Sequence, residues 1–178
     1  MKRILTLVAG IVVATGVVAG GKPLQISITP EVALHDRSEQ IEGLVIGIWS
    51  ENPQTALALG IVSGSTGNSA GLSWSFLLNY ADNYKGVHWA PVNYTKHDFL
   101  GWQGGLVNYV GGTMKGLQSG TVNYAGRLTG LQFGLVNYAE TAENGVQLGL
   151  INIIPQNVWF SELPDALAPG MVFVNWRF

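Results

Sequence analysis

The chain has 178 residues, of which 24 are glycine, none is cysteine and 11% are charged. That length allows one domain with a sizeable core or one membrane barrel, and the low charge with high apolar content excludes disorder. Without cysteine there is neither a disulfide framework nor a thiolate metal site, and a net charge of −2 leaves no footprint for nucleic acid.

At the N-terminus, Lys2 and Arg3 precede an apolar stretch from Ile4 to Val18, followed by small residues through Gly21. This is the pattern of a secretory signal peptide cleaved near Ala19 or Gly20, which sets residues 1–20 apart from a single β domain over residues 21–178. A transmembrane anchor is the alternative. The apolar run is shorter than the ~20 residues a spanning helix needs, and Gly10 and Gly16 interrupt it. The expectation is an exported protein.

Leu24 to Thr29 reads as a first strand. The charged stretch that follows, with Glu31, His35, Asp36, Glu39 and Glu42, contains no paired-carboxylate or Ser/His/Asp arrangement and reads as an exposed loop.

The middle of the chain repeats. A nine-residue motif close to Gly-Leu-Gln-x-Gly-Leu-Val-Asn-Tyr begins at Gly86, Gly101, Gly116, Gly130 and Gly145, in steps of 15, 15, 14 and 15 residues. Asn93, Asn108, Asn123, Asn137 and Asn152 follow at one offset, then Tyr94, Tyr109, Tyr124 and Tyr138, with Ile153 closing the series. Looser copies start at Gly43, Ala56 and Gly71, so about eight units fill residues 43–153. Each unit reads as one strand, because β-branched and aromatic residues cluster and glycine is too frequent for a helix. Strict alternation would put Leu131, Phe133, Leu135 and Asn137 on one face, and Gln132, Gly134, Val136 and Tyr138 on the other. Variable polar segments between the units read as turns.

Two architectures suit such strands. A straight nine-residue strand is roughly 30 Å long, and five or six connecting residues return at most ~20 Å, so a straight-stranded parallel coil fails. A parallel β-solenoid requires the strand to bend at the second glycine and the connecting segment to supply inward residues. Leu128 could serve, but its counterparts counted forward from the first glycine are Thr113, Asp98 and Ala142. The reading therefore favours an antiparallel up-and-down β-barrel of about ten strands, with the solenoid as the alternative.

The chain ends Met-Val-Phe-Val-Asn-Trp-Arg-Phe, an alternating strand over residues 171–178. It resembles the C-terminal signal of bacterial outer-membrane β-barrels, although Phe173 stands where that signal usually has glycine. The resemblance implies that Val174, Trp176 and Phe178 face lipid as an assembly signal, with outer-membrane lipid and the barrel-assembly machinery as partners. By alignment, Val174-Asn175-Trp176 corresponds to the Val-Asn-Tyr of the units, and the Tyr residues would form two aromatic belts. The tandem units resemble those of bacterial surface-repeat proteins. That resemblance implies an exported, surface-associated protein and no catalytic activity.

Few residues are candidates for chemistry. His88, His97 and Asp98 lack the convergent spacing of a metal site, so no metal and no cofactor is expected. Gly105, Gly120, Gly134 and Gly149 read as strand-packing or kink positions, and the repeated Asn as a former of turn or side-chain hydrogen bonds. The function expected is a non-enzymatic outer-membrane or surface role that is structural, interactive or hydrophobic-ligand-binding. The alternative is a solenoid presenting a repetitive surface for adhesion or envelope structure. The ligand is unknown.

Overall fold

The computed structural model describes residues 20–178, and residues 1–19, which hold nearly all of the expected signal peptide, lie outside the described residues. The elements are β1 (Lys22–Thr29), β2 (Val32–Ala33), β3 (Ile41–Asn52), β4 (Gln54–Trp89), β5 (Val92–Thr95), β6 (Phe99–Gly104), β7 (Val107–Ile153) and β8 (Gly170–Arg177). From β1 through β7 the successive coils pair in parallel. Equivalent motif residues lie side by side, Gly101 with Gly116, Gln103 with Gln118, and Asn93 with Asn108. β4 and β7 reach 36 and 47 residues because pairing continues around the corners of several coils. The protein is a parallel β-solenoid, and the antiparallel barrel is corrected.

The bend that makes this possible is visible in which residues are buried. Gln118 and Asn123 are both fully buried although they are five residues apart, while Thr121 and Val122 between them both face outward. A straight pleat would send Gln118 and Asn123 to opposite faces. The alternation therefore slips once, at the second glycine of the motif (Ser75 and Ala90 in the units from Gly71 and Gly86), and the nine residues split into two short walls meeting at a corner. The remaining five or six residues form a return segment to the next coil, a distance they can span.

Between Gly101 and Gly134, glycine is required at both ends of the first wall. Gly116 has φ +125°, and a Cβ there would lie 2.2 Å from the carbonyl oxygen of Gly101 on the previous coil. At the corner, a Cβ on Gly134 would lie 2.1 Å from the oxygen of Gly120 and 2.6 Å from Nδ2 of Asn123. At these positions the backbone of the previous coil occupies the place of a side chain, whereas the coils from Gly71 and Gly86 carry Ser75 and Ala90 at the corner.

The inward wall of the return segment also exists. Phe99 is paired with Met114, and both join Tyr84 and Leu128 in one buried cluster. These residues fall two positions before Gly86, Gly101, Gly116 and Gly130. Counting forward across the 14-residue step displaces Leu128 by one, which is why the column is invisible in a forward alignment. A second column, Ala81, Val110, Ala125, Ala139 and Ile154, each two residues after an Asn, joins the same cluster, and Ile41, Val45, Ala56 and Ala58 form a separate one in the first coils.

Both ends of the coil are covered. β2 lies antiparallel on β1, and Gln25 exchanges two 2.9 Å hydrogen bonds with the backbone of His35, which fixes the charged loop across the first coil. At the other end β8 turns back and pairs antiparallel with the last coil. The preceding loop covers the far edge of β8 through Leu167 N–H to Trp176 O and Phe178 N–H to Asp165 O. Covered ends stop a stack of parallel coils from recruiting another copy. Because β8 runs antiparallel, Asn175 stands opposite Gln147 rather than Asn152, so the sequence alignment of Val174-Asn175-Trp176 with Val-Asn-Tyr is also corrected.

Candidate functional site

The repeated Asn side chains point into the coil and form one continuous ladder. Nδ2 of Asn79 donates to Oδ1 of Asn93 at 3.0 Å, and Asn93, Asn108, Asn123 and Asn137 each donate to the next Asn at 2.8 Å, ending on Asn152. The second Nδ2–H of four of these residues reaches a backbone oxygen of the following coil: Gly104, Ser119, Phe133 and Leu148 for Asn93, Asn108, Asn123 and Asn137. Those oxygens belong to the residue just before the corner glycine, so Gly105, Gly120, Gly134 and Gly149 and the Asn ladder form one device.

The Gln side chains, which strict alternation would put on the face opposite Asn, build a second ladder inside. Gln147 donates to Gln132 and Gln132 to Gln118 at 2.8 Å, and Gln118 to Gln103 at 3.0 Å. The signal available in the sequence was that Gln repeats with the same period as Asn while its neighbours vary. His88 occupies the Gln position of its coil, where this ladder stops. It is fully buried against Tyr84 and Phe99, neither ring nitrogen has a hydrogen-bond partner, and burial pushes its pKa down to about 3. His97 faces solvent, and Asp98 accepts the Thr113 N–H of the next coil, so the three residues do not converge.

With amides inside, the apolar residues are left outside. Gln103, Gln118, Gln132 and Gln147 are 0% exposed, whereas Phe76, Leu106 and Phe133 are 68%, 61% and 59% exposed. Trp74, Trp89 and Phe133 project from the first wall, and Leu106, Leu135 and Leu150 run along the corner. Val92, Val107, Val122 and Ile151 project from the second wall. Two shallow grooves follow the corner, of about 460 and 420 Å³, and both run over the bare backbone of Gly105.

Charge is distributed in the opposite sense. Between Gly71 and Ile153 all eight charged residues (Asp82, Lys85, Lys96, Asp98, Lys115, Arg127, Glu140 and Glu143) lie in the return segments, and the two walls carry none. Over these six coils the solenoid is thus an amphipathic prism with two uncharged walls and one charged side. Scanned against protein-family models, curated proteins and solved structures, the chain matches none of them.

The Tyr residues mark the boundary between the two kinds of surface. Tyr94, Tyr109, Tyr124 and Tyr138 stack face to face on the second wall with ring centroids 5.1, 4.6 and 5.5 Å apart. They form one row on one wall rather than two belts at opposite ends. The hydroxyl of Tyr124 donates to Glu140 in the return segment, and this bond pushes its pKa up to about 12. Each ring therefore has its body on the apolar wall and, at Tyr124, its polar tip on the charged side.

Val174, Trp176 and Phe178 lie on β8. Val174 and Trp176 are half-buried, the Trp176 indole N–H donates to Pro164 O, and Phe178 is exposed. The strand that carries them covers the last coil through its backbone pairing.

Proposed function

We propose that this chain is an exported, non-enzymatic β-solenoid that attaches to the cell envelope through its two uncharged walls and turns its charged side to water. The observation that carries the reading is the complete segregation of charge: six coils with no charged residue on either wall, and eight charges in the return segments. Contiguous apolar surface on this scale marks an attachment site, since isolated proteins rarely expose so much. The interior supports a structural role, because its repeated Asn and Gln amides are consumed in ladders that hold the shape. A repeated array also offers every attachment position several times over.

Fractionation of expressing cells tests the proposal. The full chain is expected in the envelope fraction, and the double substitution Leu106→Lys with Leu135→Lys, at two exposed corner positions, is expected to release it. Recovery of the unaltered chain in the soluble fraction would sink the reading.

A further inference from the structure

Resting on that attachment reading, we infer that the surface covering the two walls is the interface of a fluid lipid bilayer, with the corner as the embedded edge. Three features favour lipid over a second copy or another protein.

The walls are convex. They meet at a corner, so a flat partner pressed on one wall leaves the other exposed, whereas a fluid conforms to both. The two corner grooves, floored by glycine backbone, are open to flexible chains, and they present no charged group to a polar partner.

The backbone makes embedding affordable. Wall residues are paired coil to coil, so few of their N–H or C=O groups would be left unsatisfied where water is scarce. The Asn and Gln amides that would forbid such a position on an ordinary sheet are bonded to one another inside.

The depth is marked by the Tyr row. It lies where wall meets return segment, with the Tyr124 hydroxyl bonded to Glu140 on the charged side, the position an aromatic ring takes at headgroup level. The return segments carry four acidic and four basic residues between Gly71 and Ile153. With no net charge on that side, attraction to anionic headgroups contributes little, and attachment should be governed by apolar burial.

The experiment uses the full chain with vesicles of neutral phosphatidylcholine. Flotation is expected at low and high salt alike, with a blue shift of tryptophan emission and quenching by lipids brominated along the acyl chains, since Trp74, Trp89 and Trp102 project from the walls. The double substitution Leu106→Lys with Leu135→Lys should weaken vesicle binding at least tenfold, and Arg127→Glu on the charged side should leave it unchanged. Should the double variant misfold, Thr121→Arg places a charge at an exposed corner position on the rim of the second groove, and a loss of binding is again expected.

If the corner variants float as the unaltered chain does, the N-terminal apolar segment holds the protein and the inference fails. Failure of the unaltered chain to bind vesicles, or dimers that both corner variants abolish, would also overturn the lipid interface. Either result would leave envelope retention in cells to be judged by itself.

Discussion

Asn108 donates its side-chain amide to Asn123 at 2.8 Å, one coil further along the chain. Gln132 donates to Gln118 at the same distance in the reverse direction, one coil back. The two amide ladders therefore run antiparallel inside one coil, and their dipoles oppose rather than add. Each ladder also anchors to backbone, so its amides are bonded throughout the middle of the series. The free ends are at the limits of the series, as at Oε1 of Gln147.

Removing one amide from the middle should cost far more than removing one from an end. Asn123→Ala strands the donor of Asn108 and the acceptor of Asn137, and an orphaned buried polar group costs ~1–3 kcal/mol, so about 3 kcal/mol is expected in all. Asn152→Ala has one ladder neighbour and should cost about half as much. Denaturant titration of both variants checks the ordering, and equal losses would argue against a cooperative ladder.

The corner glycines permit a sharper comparison. Gly134→Ala places a methyl 2.1 Å from the oxygen of Gly120, against backbone that cannot yield without opening the coil. Gly170→Ala meets nothing within 4 Å. Thermal unfolding should show a large loss for the first, several kcal/mol by analogy with overpacked cores, and almost none for the second.

His88 gives the stability a pH dependence. Its folded pKa lies near 3, below the ordinary 6.5, so the folded state holds it neutral while the unfolded chain takes up a proton as the pH falls through 6.5. Its contribution is complete above that value and lost as acid is added. The slope of about 1.4 kcal/mol per pH unit predicts a loss of roughly 2 kcal/mol between pH 6.5 and 5. His88→Gln puts an amide in the Gln column beside Gln103 and should flatten the profile over that range. A variant as acid-sensitive as the unaltered chain would locate the effect elsewhere.

Deleting one unit, residues 116–129, should leave a folded, shorter molecule. Lys115 would then lead into Gly130, and Asn108 would face Asn137 in unchanged register. The β signal per residue in circular dichroism should persist, with stability lowered by one coil and its interface. Collapse on this deletion would contradict a structure built coil upon coil.

Truncation before Gly170 tests the cap. Without β8 the last coil presents an unpaired parallel edge, and concentration-dependent association should appear in sedimentation velocity. Phe178→Ala, by contrast, alters an exposed side chain and should leave both stability and monomeric behaviour unchanged.

The all-β class, the period, the glycine requirement and the strands at both ends were legible in the residues, because each follows from local preference and spacing. The repetition of Asn and Tyr at one offset was equally plain. What the residues could not disclose alone was the side on which each would stand. Gln132 and Asn137 are five apart, and alternation separates them unless the strand bends between them. Only stacking against Gly120 on the neighbouring coil forces that bend. The same bend turned Leu135 outward, brought the Gln column inside, and shortened each wall enough for the return segment to close a parallel coil. The column of Tyr84, Phe99, Met114 and Leu128 was hidden by a single missing residue in one return segment, a difference that packing absorbs and alignment does not. The direction of β8 was likewise a tertiary decision, since an alternating strand reads the same whether it closes a barrel or seals a stack. The residues determined what repeats; the contact between coils decided what faces water.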